Sequence, residues 1–499
     1  MLCGRGNNGG DGAALARALL TAGARVDLVL FGRIEDSKGD ARTNFDIVRG
    51  LAGAGGTASP SSLAFTQCEG AAEWESLAGS HGSYEVVVDA LFGTGLTRPL
   101  EGAHARVVEH IDALRSARMG GARPLIVSLD LPSGLDADRA QPIGPAVRAD
   151  ITVTFTAPKP ANVLPPASRF NGRLYTADIG SPRALLDASP SRLFLTEAED
   201  ARAWLEATRY APGSYKNSHG HALVVAGSRD MTGAAVLCAS AAMRAGAGLV
   251  TLAAPASILP AVAARLPAEV MTAPLSETPA GGVAFEALGE VERLSERATV
   301  VAVGCGLTRE HESTRRFVRE LIARRTKPVI VDADGLNALA PWPSELRGTA
   351  DAPVILTPHE GEMLRLMGAR DRSALEDRAR AVSEFAAGHR LVVALKGERT
   401  LIAAPDGRVL VNATGNRGLG TAGSGDTLTG IIAGFNAQAY ATLKGQADAV
   451  AATAAAVYVG GLAADIAAAE VGVRALSASD VRERMGAALL ALDPEGETP

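Results

Sequence analysis

Residues 415–435 read GNRGLGTAGSGDTLTGIIAGF. Glycines at 418, 420, 423 and 425 crowd a stretch that runs into an apolar helical segment. Without Cβ atoms, successive backbone N–H groups can turn toward one anion. The helix that begins near Asp426 adds its positive end. Asp426 then stands where a carboxylate can take a proton from a hydroxyl. Donors around a moving phosphoryl group and a base on the attacking oxygen are the parts phosphoryl transfer needs. A plain N-cap would account for Asp426, but not for four closely spaced glycines. The chain contains no GxxxxGK[ST], so this is not a Walker A loop.

Two neighbouring segments fit a nucleotide site. In LKGERT, Lys396 and Gly397 follow an apolar run, and a lysine there can neutralise a diphosphate. The plainer reading is a solvated lysine in a turn. In ILTPHEGE, His359 ends another run, although a lone histidine is commonly structural. Around these lie HALVVAGS, GLVTLAAP, TVVAVGCG, KPVIVDADG, APVILTPHEGE and RLVVALKG, alternating with helical stretches rich in Ala and Leu. That alternation predicts a parallel sheet covered by helices. TLIAAPDGRVLVNA reads as a hairpin turning at Asp406–Gly407.

The same alternation fills the first part of the chain. ARVDLVLFG, YEVVVDALFG, RPLIVSLDLPSG and RADITVTFTAP read as strands, and AALARALLTAG as a helix that Gly23 ends. The pattern weakens at DIGSPRALLDASPSRLFLTEAED, which predicts a linker near residues 181–195 and domains over 1–190 and 191–499. The chain's 499 residues agree with two domains, since a single core rarely grows past about 250–300 residues. The halves are not repeats of each other.

In open parallel sheets, ligands bind beyond the carboxyl ends of strands. Three such ends in the first half carry polar oxygens beside glycine turns: GNNGGDG with Asn7, Asn8 and Asp11, VVVDALFGTGLTRPL with Asp89, and VSLDLPSGLDAD with Asp130 and Ser133. A buried carboxylate needs a partner. Each Asp could cap the loop that follows it, but the three ends together point to a ligand. Asn8, Asp89 and Ser133 are hard oxygen donors suited to potassium or magnesium. GRGNNGGDG matches GxGxxG only loosely, and no acidic residue ends the next strand. The dinucleotide fingerprint of a hydride-transferring dehydrogenase is therefore absent.

Composition narrows the class. The chain is 47% hydrophobic and 21% charged, with a net charge of −6 and no long basic run, which argues against nucleic acid or an acidic membrane as partner. AVAATAAAVYVGGLAADIAAA is apolar but Ala- and Gly-rich and broken by Asp465, so it reads as a packed helix. No basic-then-apolar leader opens the sequence. Cys3, Cys68, Cys238 and Cys305 show no CxxC spacing, and the eight histidines form no ligand cluster. The expectation is reduced thiols, a cytoplasmic location and no zinc site.

GNNGGDG, VDALFGTGL and SLDLPSGLDAD resemble the epimerase domain of the NAD(P)H-hydrate repair enzymes over nearly all of residues 1–180. The resemblance implies a Rossmann-like three-layer α/β domain that interconverts R and S epimers of hydrated NADH and NADPH. It implies hydrate binding by Asn7, Asn8, Gly9, Gly10, Asp11, Gly93, Thr94, Gly95, Leu96, Thr97, Arg98 and Pro99. It also implies K⁺ held by Asn8, Asp89 and Ser133, and makes Asp130 the acid/base group that meets the substrate. Only Met1, Leu2 and Cys3 precede Gly4, whereas a parallel strand usually runs about five or six residues. Family members carry a helical segment and a full first strand there. The expectation is thus a chain shortened at its N-terminus, by a start placed too far downstream or as a fragment. Its first strand would be missing and a sheet edge exposed.

The glycine loop resembles the anion hole of ribokinase-like kinases. GSYKNSHGHALVVAGSRDMTGAAVLCASAAMRAGAGLVTLAAP, VGCGL, VDADGLNAL, ILTPHEGEMLRL and GNRGLGTAGSGDTLTGIIAG together resemble the NAD(P)H-hydrate dehydratases over roughly residues 195–490. That resemblance implies a ribokinase-like α/β domain with ADP as phosphoryl donor and Mg²⁺ as charge partner. It places ADP on Lys396, Gly397, Glu398, Arg399 and Thr400, and on Asn416, Arg417, Gly418, Leu419, Gly420, Thr421, Ala422, Gly423, Ser424 and Gly425. It places the S hydrate on Ala234, Gly306, His359 and Asp426, with Asp426 catalytic. Together the halves resemble the fused bifunctional repair enzymes, small-molecule enzymes expected as homo-oligomers. The competing reading is a ribokinase-like small-molecule kinase with a non-catalytic N-terminal binding domain, which would leave a phosphorylated product.

Overall fold

Short apolar runs build one sheet in each of two units, Met1–Pro190 and Ser191–Pro499. A computed structural model describes residues 1–54, 62–80, 84–116, 123–308 and 311–493. In the first unit the strands are β1 (Leu2–Gly4), β2 (Val26–Phe31), β3 (Leu63–Cys68), β4 (Val86–Ala90), β5 (Leu125–Leu129), β6 (Ile151–Phe155) and β7 (Arg173–Ala177). They lie in the order β3-β2-β1-β4-β5-β6-β7, with every pair parallel. Successive residues of β2 enter opposite cores. Val26, Leu28 and Leu30 pack on one face with Phe45 and Val88, and Val29 and Phe31 pack on the other with Trp74 and Val107. A strand buried on both faces must be apolar throughout, and VDLVLF is apolar but for half-buried Asp27.

The expected loss of the first strand is corrected. Leu2–Gly4 form a strand at the centre of the sheet, Leu2 opposite Val29 on one side and Asp89 on the other. Three residues suffice because both neighbours pair with them, so β1 exposes no edge. The expected helix also starts earlier, at Asn7, and runs to Thr21. GNNGGDG is thus the helix's own first turns.

The second unit has β8 (Leu193–Thr196), β9 (His221–Val225), β10 (Leu249–Pro255), β11 (Met271–Leu275), β12 (Val300–Val303), β13 (Val329–Val331), β14 (Val354–Leu356), β15 (Val392–Leu395), β16 (Leu401–Ala403) and β17 (Val409–Asn412). Their order is β11-β10-β9-β12-β13-β14-β15-β16-β17-β8. The sheet is parallel from β11 to β15. It then turns back through the β15–β16 and β16–β17 antiparallel pairs, the latter closed at Asp406–Gly407. Part of the expected linker is structured: Leu193–Thr196 adds β8 to the edge, parallel to β17.

The apolar helix Ala449–Val471 is a core element, with 72% of its most hydrophobic window buried. Helix Ser424–Thr442, which carries the glycine loop at its start, lies against helix Thr232–Arg244 so closely that a Cβ on Gly430 would sit 2.1 Å from the Cys238 carbonyl oxygen. Gly430→Ala must push these helices apart. It is expected to lower the stability of this unit by about 1–3 kcal/mol, read as a lower urea midpoint at unchanged slope.

Candidate active sites

Each sheet reverses its strand order once, between β1 and β4 and between β9 and β12. The loops diverge at such a point and leave a crevice at the carboxyl ends of the strands. The residues singled out in the sequence gather at these two places.

In the first unit, Asp89 ends β4 with no solvent exposure. Its Oδ1 accepts from the Ser133 hydroxyl at 2.5 Å and its Oδ2 from the Ser133 amide at 2.9 Å and the Ser128 hydroxyl at 2.8 Å. Burial pushes the Asp89 carboxyl above the usual range, and the serine hydrogen bonds pull against that rise. Asn8 is also buried, yet among the described residues neither its carboxamide oxygen nor its nitrogen has a hydrogen-bond partner. Such orphaned groups are costly unless something fills their valence. A Cβ on Gly93 would lie 3.4 Å from Asn8 Cγ and 3.3 Å from Asp130 Oδ2, so Asn8, Gly93 and Asp130 meet. Ser133 Oγ accepts from the amide of Phe92, next to Gly93, which brings the Asp89–Ser133 pair to the same turn. A buried carboxylate, a serine hydroxyl and an unfilled carboxamide oxygen suit a large monovalent cation.

Asp130 follows β5 with φ +62°, a left-handed conformation that costs an L residue free energy and marks a held position. Asn7 and Asp11 are exposed at the rim, where burial and then Asp130 raise the Asp11 carboxyl. Gly9 and Gly10, expected among the hydrate contacts, are buried. A Cβ on Gly9 would sit 1.7 Å from the Gly4 carbonyl oxygen and one on Gly10 would sit 2.6 Å from Ala41 Cα. Gly9 lets the helix lie on β1, Gly10 lets it approach the neighbouring helix Gly39–Ala54, and together they place Asn8. In the loop after β4, Gly93 is half-buried while Thr94, Gly95, Thr97, Arg98 and Pro99 are exposed. Leu96 departs from expectation: its side chain is part of the core, so it anchors that loop.

In the second unit, Asp426 is the third residue of helix Ser424–Thr442, entered through Gly423 at φ +84°. Among the described residues, the amides of Ala422, Gly423, Gly425 and Asp426 donate to no backbone carbonyl, and the buried hydroxyls of Ser424 and Thr427 have no partner. The loop therefore presents a set of free donors, as expected of an anion hole. Burial raises the Asp426 carboxyl; a contact with the Cys305 thiol opposes this and nearby Asp332 adds to it. Gly306, at φ +64°, follows Cys305, and a Cβ on it would lie 2.9 Å from Ala234 Cβ. Ala234, Gly306 and Asp426 are thus joined through Cys305.

Lys396 follows β15 and is half of a buried ion pair. Its Nζ donates to Asp332 Oδ1 at 2.7 Å and lies 4.0 Å from Glu362 Oε2. Asp332 is 1% exposed, and its other oxygen accepts from Thr429 Oγ1 at 2.7 Å. Burial works against the Lys396 charge, but Asp332 and Glu362 outweigh it and hold the ammonium above its ordinary value. A Cβ on Gly425 would lie 3.3 Å from Lys396 Nζ, so the ammonium abuts the glycine loop. His359 caps helix Glu360–Leu366: its Nδ1 accepts from the amides of Gly361 at 3.0 Å and Glu362 at 3.3 Å. Nδ1 thus acts as an acceptor, and Nε2 lies 3.5 Å from Glu362 Oε1.

Gly397 and Glu398 are exposed, and Arg399 and Thr400 half-buried. Arg399 Nη1 is committed to the Ala413 carbonyl at 2.6 Å. The Asn416 side chain is spent as well. It donates to Asp465 Oδ1 and the Ala464 carbonyl and accepts from the Gly418 amide, so it fastens the loop. Arg417, Gly420 and Ala422 are exposed along the loop; Gly418, Leu419, Thr421, Gly423, Ser424 and Gly425 are half-buried. Sequence reasoning passed over Asp332, Thr429, Glu362 and Asp465 here, and Ser128, Thr154 and Lys159 in the first unit. Asp332 had a signal, since VIVDADG is an apolar run ending in Asp, as in VVVDA.

Residues 1–161 match the family model described as YjeF-related protein N-terminus, and residues 222–485 match NAD(P)H-hydrate dehydratase. The bifunctional NAD(P)H-hydrate repair enzyme Nnr of Moorella thermoacetica is 41% identical over 499 residues, covering 100% of this chain and 88% of its own. The ADP/ATP-dependent NAD(P)H-hydrate dehydratase of Bacillus subtilis, co-crystallised with ATP and Mg²⁺, aligns with 60% of this chain and 98% of its own at 31% identity and TM-score 0.51. A ribokinase-like superfamily protein of Enterococcus faecalis shares the fold at 24% identity and TM-score 0.51, over 61% of this chain and 98% of its own. The chain belongs to the family of bifunctional NAD(P)H-hydrate repair enzymes.

Proposed function

We propose that the chain repairs hydrated NADH and NADPH: the second unit dehydrates the S epimer at the expense of ADP, and the first interconverts the R and S epimers. One observation carries the reading. A half-buried carboxylate, Asp426, sits on the first turn of a helix whose preceding loop holds free amide donors. Hydroxide is a poor leaving group from the reduced nicotinamide ring. Asp426 takes the proton of the ring hydroxyl, and the oxygen attacks the β-phosphoryl group of ADP within the loop, releasing AMP. Phosphate then leaves with the C–O electron pair, and the adjacent ring carbon gives up a proton to solvent as the double bond re-forms. The free amides and the Lys396 ammonium face the charge that builds on the phosphoryl oxygens.

Mg²⁺ would ride on the nucleotide phosphates. Among the described residues, no cluster of three acidic, histidine or cysteine side chains is set to hold a metal on its own. K⁺ would be held by Asn8, Asp89 and Ser133, where it would offset the buried Asp89 charge. ADP rather than ATP as donor, a homo-oligomeric assembly and a cytoplasmic setting belong to the same proposal; the four buried free thiols support the last.

Purified chain given mixed-epimer hydrate with ADP and then ATP should restore reduced-nicotinamide absorbance and release phosphate in step. A stable phosphorylated product would instead mark a kinase. Asp426→Asn should keep nucleotide affinity by calorimetry yet lose about 10²–10⁴ of turnover; full activity would refute the base assignment. Because burial, with Asp332 and Asp334 adding to it, raises the Asp426 pKa, the acid limb of the dehydration pH profile should lie above the usual aspartate range. Removing one negative neighbour by Asp334→Asn should move that limb to lower pH. Potassium should raise the melting temperature of the first unit in the parent chain and not in Asp89→Asn, as followed by calorimetry at matched ionic strength.

A further inference from the structure

We infer that Lys159 is a positioning residue of the epimerase site: it locks one oxygen of Asp130 and leaves the other to meet the substrate. This rests on the reading of Asp130 as the acid/base group. The two carboxylate oxygens of Asp130 have unlike surroundings. Oδ1 accepts from the Lys159 ammonium, from Thr154 Oγ1 at 3.2 Å and from the Phe155 amide at 3.3 Å. Oδ2 receives no hydrogen bond among the described residues and points to Gly93, lying 3.3 Å from where a Cβ would be. That is the crevice at the strand-order reversal, beside the unsatisfied Asn8 carboxamide.

Lys159 has no proton left for a ligand. Its three donors go to Asp130 Oδ1, to Thr154 Oγ1 at 2.9 Å and to the Phe155 carbonyl at 2.9 Å. An ammonium with all its donors committed to fixed acceptors orients its partner and does not bind substrate. Its own place is secured from behind. The Lys159 amide donates to Asn162 Oδ1 at 2.8 Å, and Asn162 donates to Asn171 Oδ1 at 2.9 Å, both asparagines being buried. The left-handed backbone at Asp130, φ +62°, is a further sign that the carboxylate is held against its own preference. With Oδ1 fixed, Oδ2 is the oxygen left to exchange a proton with the substrate.

The test uses the full chain and R-hydrate without ADP, with epimerisation followed by chromatography. ADP-dependent dehydration of the S epimer by the same molecules reports on the other unit, and calorimetry on the first. Lys159→Met should lower epimerase kcat by about a hundredfold with KM unchanged, as expected of a misplaced catalytic group. Lys159→Arg should recover part of the rate. Lys159→Met combined with Asp130→Asn should be no slower than Asp130→Asn alone, since the two act as one unit. If Lys159→Met unfolds the first unit, Thr154→Val, which removes one contact from each partner, should give a smaller loss of the same kind. Wild-type kcat in Lys159→Met, a change confined to KM, or additive losses in the double variant would overturn the inference. An Asp130→Asn variant with full epimerase activity would instead overturn the acid/base reading beneath it.

Discussion

The buried pair of Lys396 and Asp332 holds the dehydratase site together. It ties the end of β15 to the end of β13, and through Thr429 it reaches the helix that bears Asp426. A buried ion pair gains little net stability, because desolvating two charges costs nearly what their attraction returns. Its value lies in geometry: breaking one partner leaves an uncompensated charge, so the three elements keep one mutual placement. The pair also sets the electrostatics beside Asp426, whose carboxyl Asp332 pushes up and Lys396 pulls down.

The epimerase unit has a buried carboxylate of its own with no basic side chain bonded to it among the described residues. Asp89 is satisfied by two serine hydroxyls and two backbone amides, while Asn8 beside it is satisfied by nothing in the described structure. Asp130, by contrast, is paired with Lys159. Two strand-end aspartates on adjacent strands thus sit in different environments. One is surrounded by neutral hydrogen-bond donors; the other is held by an ammonium and open on one side. Environment sets their roles, not residue type.

Much of the fold was legible in the sequence, and the strands it missed outright share a cause. β3, β7, β8 and β11 went unread, and all four are edge strands. Their outer faces meet solvent, as in RLYTA with Arg173 and Tyr175 exposed, so they lack the apolar run that marked the central strands. β1 was misjudged for another reason: three residues look too short until β2 and β4 are seen to flank them. The glycine loop, the strand-end aspartates and the hairpin were readable because each is a local backbone event whose cause lies within a few residues.

Local chemistry determined which residues stand at the strand ends: Asp89, Asp130, His359, Lys396 and Asp426 follow apolar runs or open a helix in the sequence itself. Only the tertiary structure decided their partners. Lys396 meets Asp332 across 64 positions, Ser133 meets Asp89 across 44, and Asn416 meets Asp465 across 49. Such pairs depend on the order in which strands enter the sheet, which is settled by the packing of helices on both faces. No spacing along the chain encodes it, so the sequence places Lys396 at a strand end without telling that it is half of a buried ion pair with Asp332.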